Sequence, residues 1–427
     1  MLNGVIGGAG GTEGRADGGL PTADGAPQAP QGRQEEHFMA AGARHRTAYV
    51  VCVLLATLFT CAAAWYTAPP RIVSGDAVRR GMERLVREDR FPGALAAVTT
   101  PDGTTRDGTT RDYTAGVGDL ATGAPVPVNG RVRAASNTKP FTAVLVLQLV
   151  GESAVRLDAP VETYLPGLVR GRGLDGRRIT VRHLLQHTSG LPDYADFLGD
   201  DPFARRHLHT GPRELLDVAL AHPARFAPGS RWEYSNTNYI VAGLLIEKVT
   251  GRPLAESVAH RIIRPAGLRH TYFPRAGERT VHGPHPRGYH ALEPGARLRD
   301  ITVMDPSWGW AAGQLVTTPR DLNRFYTALL HGDLLHPAQL RQMRTTVPAS
   351  GLWAGARYGL GLISTPLSCG GLAWGHGGDI PGYHTRGGTT DDGRSVTLTV
   401  TALPDALPDS GTATRHVLTL VDTALCT

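Results

Sequence analysis

Lysine is almost missing from this chain. Of 427 residues only Lys139 and Lys248 are lysines, so nearly all the basic charge is carried by arginine. The formal net charge of +6 is spread along the chain. No Lys/Arg cluster alternates with aromatics, which excludes a nucleic-acid partner of the usual electrostatic kind. Metal-binding spacings are absent as well. Neither His-Glu-x-x-His nor His-x-His-x-Asp occurs, and His207 and His209 lie in a polar loop, so no metal and no cofactor is expected. Cysteine is scarce. Cys52 and Cys61 fall in an apolar run near the start, which leaves Cys369 and Cys426 for the folded part. In an oxidising compartment these two would pair; otherwise they are two small buried residues. No internal repeat is present, which excludes a solenoid.

What is there begins with a long polar lead. Residues 1–46 are rich in Gly, Ala, Pro and Gln and cannot bury a core, so they are expected to be disordered. Arg44 and Arg46 then precede an apolar stretch within 47–66, read as a signal peptide or a single membrane anchor. Ala62-Ala63-Ala64 has the small-residue pattern of a cleavage site, and a start at Met39 would give a leader of ordinary length. Positive charge on the N-terminal side puts the remainder outside the cytoplasm, secreted or anchored to the outer face of the membrane. Membrane contact is expected only through this segment.

The informative stretch is Arg133-Ala-Ala-Ser-Asn-Thr-Lys-Pro-Phe-Thr-Ala143, followed by an apolar run from Phe141 to Val150 and Gly151. That run is apolar on every side, as a buried central helix is. Pro140 is tolerated only in a first helical turn. Ser136 then sits at the helix start, with Lys139 one turn on and on the same face. A serine hydroxyl is a poor nucleophile until a base takes its proton. A lysine held neutral by burial can be that base, and a helix N-terminus suits a developing oxyanion. The plainer alternative is a serine N-cap beside a solvated lysine.

Two further constellations follow. Ala227-Pro-Gly-Ser-Arg-Trp-Glu-Tyr-Ser-Asn236 runs into a second apolar helix, Tyr239 to Val249, closed by Gly251. If that loop is extended, Tyr234 and Asn236 point the same way. A phenol can relay a proton and an amide can bind a lysine or a substrate carbonyl; Asn236 could equally be only a helix N-cap. Trp374-Gly-His-Gly-Gly-Asp379 ends a predicted strand whose paired glycines let a ligand or another backbone approach closely.

Strand patterns occur at the two ends. Ala94–Thr100 and Tyr113–Gly118 read as a hairpin with a long tip over 102–112, after an amphipathic helix at Asp76–Asp89. Gly371–His376, Gly382–Thr389 and Ser395–Thr401 read as three more strands, and Thr412–Ala424 as a closing helix. Helical segments joined by Pro/Gly loops fill about 141–347. The expected fold is therefore α/β: an antiparallel sheet formed from both chain ends, flanked by helices, with an inserted and mostly helical subdomain, all within 76–427.

Together these residues resemble the serine penicillin-recognising superfamily, in the branch of class C β-lactamases, secreted D-alanyl-D-alanine carboxypeptidases and related esterases. The likeness runs from about Val78 to Cys426. It rests on Ser136-x-x-Lys139, Tyr234-x-Asn236 and His376-Gly377-Gly378 in that order. It is joined by His183-Leu-Leu-Gln-His-Thr-Ser-Gly-Leu191, Phe226-Ala-Pro-Gly, Ala311-Ala-Gly-Gln-Leu-Val-Thr-Thr-Pro319 and Tyr358-Gly-Leu-Gly361. The resemblance implies a β-lactamase/transpeptidase-like fold and an acyl-enzyme on Ser136, with Lys139 and Tyr234 sharing the base role. It implies that Asn236 holds the substrate amide and Lys139. His376 would stand for the third motif's usual lysine, orienting the leaving group or keeping Tyr234 poised. The backbone N–H groups of Ser136 and Asp379 would form the oxyanion hole, with Gly377 and Gly378 lining the substrate's strand-like path. It also implies a Cys369–Cys426 disulfide and a monomer.

Two departures bear on the substrate. The related carboxypeptidases carry an arginine six residues before the first cysteine, where it binds the peptide's terminal carboxylate; here that residue is Ile363. Their third motif has a hydroxyl residue in the middle, where this chain has Gly377. Arg386 would have to substitute, unless it is an ordinary surface arginine. The expectation is a D-alanyl-D-alanine carboxypeptidase-like hydrolase acting on cell-wall peptides. The alternatives are an esterase or β-lactamase of the same family, or a catalytically weak penicillin-binding sensor.

Overall fold

The computed structural model describes residues 75–104 and 108–427. The lead over 1–46 and the apolar segment at 47–66 lie outside the described residues. Among the described residues no helix is long and apolar enough to cross a membrane.

The sheet joins the two ends of the chain. Strands β1 (Gly93–Thr100) and β2 (Thr109–Gly116) come from the N-terminal side. From the C-terminal side come β3 (Val347–Pro348), β4 (Arg357–Tyr358), β5 (Ile363–Pro366), β6 (Leu372–Gly375), β7 (Gly378–Ile380), β8 (Tyr383–Thr390) and β9 (Ser395–Val400). Their order is β2-β1-β9-β8-β6-β5-β4-β3, every neighbour antiparallel, with β7 paired to β8. The register Ala94↔Val400 through Thr99↔Ser395 places β1 beside the last strand of the chain.

The hairpin tip is shorter than its polar sequence predicts, because β2 already starts at Thr109. It is an edge strand whose exposure alternates along its length, so polar residues cost little there. Thr110 meets Thr99 across the pair at 2.9 Å, and Asp112 is held by Arg320.

The two faces of the sheet are covered differently. Helices α1 (Gly75–Arg87) and α5 (Ser410–Cys426) cover one face. Their Val78, Met82, Leu85, Val417 and Leu425 pack with Ala94, Ala96, Val98, Leu398 and Val400. Alternation along β1 and β9 turns Ala97, Thr99 and Thr397 the other way, where Asn323 of α4 (Pro319–Leu330) bonds to all three. The Sγ atoms of Cys369, before β6, and Cys426, ending α5, are in bonding contact, with Cα atoms 5.6 Å apart.

In sequence, most of the helices come between the strands of the two ends. Helix α2 (Thr138–Gly151) is buried from Thr138 through Leu147, as an all-round apolar run requires. It shares one core with α3 (Thr237–Thr250), through residues such as Phe141, Val144, Leu145, Ile240 and Leu245. Gly251 closes α3 at φ +65°, a left-handed cap that glycine adopts without a Cβ penalty. The turn that leads into α2 meets β7, where a Cβ on Gly378 would touch Ala134 O and Asn137 Nδ2, and the site is built at this junction.

Candidate active site

Ser136 lies in a single 3-10 turn, Ala135–Asn137, that leads directly into α2. Ala135 just before it takes φ +49°, a left-handed conformation uncommon outside glycine. Such local strain persists only where surroundings hold it, and here Thr138 Oγ1 donates to Ala135 O at 2.7 Å. Pro140 stands in the first turn of α2, where its missing N–H removes no helical bond.

Lys139 is fully buried, and its amine reaches three acceptors. Nζ donates to Ser136 Oγ at 2.9 Å, to Asn236 Oδ1 at 2.7 Å and to Ala312 O at 2.9 Å. Burial pulls its pKa down to about 7, against the raising influence of Asp193 and Asp379. A lysine so placed is neutral for a large part of the time near pH 7, which solvated lysines never are.

Asn236 occupies the N-cap of α3, yet its side chain makes no capping bond. Instead Oδ1 faces Lys139 and Nδ2 donates to Asp193 Oδ2 at 2.8 Å. Asp193 therefore fixes which way the amide points. Its other oxygen accepts from Ala195 N at 3.0 Å. Burial raises the Asp193 pKa, opposed by the hydrogen bonds it accepts from Ala195 and Asn236. Both ends of the Asn236 amide are thus taken up inside the protein.

Tyr234 arrives from the loop before α3 with its hydroxyl in hydrogen-bonding reach of Ser136 and its ring 4.9 Å from Lys139 Nζ. Burial drives its pKa well above the ordinary tyrosine value, so the group stays a phenol. The ring of His187 stacks behind it with centroids 4.2 Å apart.

His376 lies just past the end of β6 rather than within the strand, and its ring is turned to other partners than those expected. Nε2 lies 2.9 Å from Tyr358 Oη and Nδ1 lies 2.6 Å from Gly377 O. The Tyr234 ring is 6.4 Å away between centroids. Burial first, and then the charge of Lys139, push the His376 pKa down to about 3, so the imidazole is neutral.

The two glycines after it are close approaches of backbone. A Cβ on Gly378 would lie 2.3 Å from Ala134 O and 2.8 Å from Asn137 Nδ2, so β7 rests directly on the turn that carries Ser136. A Cβ on Gly377 would lie 2.8 Å from Arg386 Nη1. Arg386 is not the surface residue its composition suggests. It is buried and clasps Asp379 through two contacts, Nη1–Oδ1 at 3.0 Å and Nη2–Oδ2 at 2.9 Å. His384 Nδ1 adds a third at 2.5 Å. Burial alone would raise the Asp379 pKa, but Arg386 and His384 hold it far below the carboxylate range. The guanidinium charge is spent inside the protein.

The structure thus brings Ser136, Lys139, Tyr234, Asn236, His376, Gly377, Gly378 and Asp379 to one junction. Sequence reasoning missed Asp193, and gave no role to His187 or Tyr358, although both lie in quoted runs. Asp193 had a weak signal, two residues past Leu191 and just before a short helical turn. Ile363 is buried on β5 opposite Gly375, among Tyr358, Ala349 and Ala356, with Trp232, Tyr234 and Trp353 against the same cluster. The place of the relatives' arginine is apolar.

Comparison with known proteins agrees with this geometry. The Beta-lactamase family model matches residues 76–420. Esterase EstB of Burkholderia gladioli is 35% identical over 229 residues, covering 51% of this chain and 55% of that protein. Penicillin-binding protein 4* of Bacillus subtilis is 28% identical over 317 residues, covering 71% and 66% respectively. The chain thus spans between about half and two thirds of these curated relatives. A D-stereospecific amidohydrolase from Streptomyces sp. superposes with a TM-score of 0.71 at 39% identity, covering 80% of this chain and 98% of that one. With that match over most of its described length, the chain belongs to the β-lactamase family and is a serine hydrolase of the β-lactamase/penicillin-binding-protein type.

Proposed function

We propose that the protein works through an acyl-enzyme on Ser136, with Lys139 as the resting base. The carrying observation is the position of Lys139 Nζ: in its neutral form the amine gives its two hydrogens to Asn236 Oδ1 and Ala312 O and turns its lone pair to Ser136 Oγ, 2.9 Å away. Burial brings Lys139 down to about 7 while it drives Tyr234 upward, so the amine and not the phenol is the group ready to accept a proton. Ser136 Oγ forms a bond to the substrate carbonyl carbon as its proton passes to Lys139. Tyr234 hands its proton to the leaving nitrogen or oxygen as the C–N or C–O bond breaks and receives in its place the proton Lys139 took from Ser136, so the acyl-enzyme again holds a phenol and a neutral amine. Water then attacks the ester by the reverse route. The N–H groups of Ser136 and Asp379 would hold the oxyanion, each worth about 3 kcal/mol by analogy with other such donors.

For the substrate, D-alanyl-D-alanine ends of cell-wall peptides are the reading drawn from the motifs. One observation favours a second reading, a neutral amide or ester. Ile363 replaces a cation, and Arg386 is already bound to Asp379, so no arginine beside the glycines stands ready for a carboxylate. The D-stereospecific amidohydrolase likeness supports the same direction. Placement outside the cytoplasm rests on the apolar segment after Arg44 and Arg46. A Cys369–Cys426 disulfide suits that compartment.

The test takes wild-type protein and Ser136→Ala through labelled penicillin, a D-Ala-D-Ala peptide, a D-amino acid amide and a nitrophenyl ester. Turnover of amide and ester with little D-Ala release supports the second reading, and D-Ala release the first. A fast-cleared penicillin adduct marks a β-lactamase, and a lasting adduct without turnover marks a sensor. Turnover that survives Ser136→Ala sinks the acyl-enzyme.

A further inference from the structure

Behind Tyr234 a line of hydrogen bonds runs from the backbone of α3's entry loop to the glycine strand. Ser235 N donates to His187 Nδ1 at 3.2 Å, and Asn238 Nδ2 lies 3.1 Å from the same atom. A backbone N–H can only donate, so Nδ1 of His187 carries a lone pair. His187 is completely buried, and burial first, then the charge of Lys139, drives its pKa far down, so the ring is neutral. Its proton is therefore on Nε2, which faces Tyr358 Oη at 3.1 Å. At the far end His376 Nδ1 faces Gly377 O at 2.6 Å. A carbonyl can only accept, so the proton of the neutral His376 is on Nδ1 and its Nε2 needs a donor. Tyr358 Oη, 2.9 Å away, supplies it. One arrangement of protons satisfies every member: His187 to Tyr358, Tyr358 to His376, His376 to Gly377 O. Tyr239 stands beside Tyr358 as well, but its own hydroxyl is spent on Leu185 O at 2.9 Å.

The line is also mechanically anchored. His187 takes φ +58°, which a non-glycine residue holds only under constraint. At the other end the Gly377 carbonyl leads into Gly378, which is pressed on Ala134 of the serine turn.

We propose that Tyr358 and His187 are positioning residues for the hydrolase reaction. They lock His376 as the neutral Nδ1–H form, so that it props the Gly377 carbonyl and with it the β7 edge laid over Ser136. In this role His376 is a brace for the strand edge and brings no charge to the substrate, unlike the lysine usual in that place. The proposal rests on the acyl-enzyme reading for its kinetic consequence, but the proton positions stand apart from it.

Two measurements test it. Neutron diffraction from deuterium-exchanged crystals of the full chain reads the protons directly. Deuterium on His376 Nδ1 and on Tyr358 Oη aimed at His376 Nε2 is expected; deuterium on His376 Nε2 overturns the proposal. In parallel, Tyr358→Phe keeps the ring and removes only the donor. Its kcat on a nitrophenyl ester is expected to fall about tenfold or more with KM within about twofold, as misplacement of a reacting edge produces. His187→Gln, which keeps an N–H toward Tyr358, is expected to retain more activity than His187→Ala. Wild-type kcat in Tyr358→Phe, or equal losses in the two His187 variants, overturns it. If Ser136→Ala keeps turnover while the neutron map shows the expected protons, the acyl-enzyme fails and the locked tautomer survives.

Discussion

Replacing Asp193 by Asn separates charge from geometry in the Lys139 network. The Asn side chain can still accept from Asn236 Nδ2, so the amide keeps its direction, but the negative charge is gone. Through one intervening amide, Lys139 Nζ and the Asp193 carboxylate are on the order of 7 Å apart; with an effective dielectric near 20 their attraction is about 2 kcal/mol, or between one and two pH units. Asp193 is half-buried, so water trims this toward the lower figure. Asp193 is the largest influence raising the Lys139 pKa against burial, and its loss lets that pKa fall below about 7. A base must be unprotonated to act. The acidic limb of kcat/KM, expected near pH 7 in the wild type, should therefore move to lower pH by about one unit in Asp193→Asn. The assay is ester hydrolysis from pH 4 to 9 at constant ionic strength, with circular dichroism to confirm folding. An acidic limb that stays in place, or moves to higher pH, refutes Lys139 as the titrating base.

Three other outcomes are expected. Gly378→Ala forces a methyl group to within 2.3 Å of Ala134 O, so β7 or the serine turn must move; kcat/KM should fall by about a hundredfold. Unchanged ester hydrolysis would show that the contact is not needed. Asp379→Asn loosens the grip on Arg386, and the preference for carboxylate-ended over neutral substrates should rise about tenfold; no change in that ratio means that Arg386 does not reach substrate. Cys369→Ser opens a link between residues 57 apart, which costs about 4 kcal/mol in the chain-entropy model. Calorimetry should show a lower Tm in oxidised samples and none of the difference after reduction.

The parts of the site that could be read in advance are those whose chemistry is local. Ser136 sits in the short turn that runs into α2 and Lys139 in that helix's first turn, and Pro140 and the apolar run mark the helix from local sequence alone. The sheet from both ends followed from the strand-like runs Ala94–Thr100, Gly382–Thr389 and Ser395–Thr401, bounded by turn residues. Short pieces escaped: β3 and β4 are two residues each and carry no period. Asp193, His187 and Tyr358 act through partners distant in sequence, such as the 171 residues between His187 and Tyr358, and nothing local marks such a contact. Arg386 was misjudged because an arginine's burial depends on its counter-charge, and Asp379 is supplied by a different strand.

The register of the first strand sets a condition on when the site can exist. Gly93 N bonds to Thr401 Oγ1 across 308 residues, and β7 and β8 are also made late in the chain. A ribosome must add 308 residues after Gly93 before its partner Thr401 exists. Contacts this remote make assembly slow. They also mean that a polypeptide stopped short of β7 would carry Ser136 without the strand edge that rests on its turn.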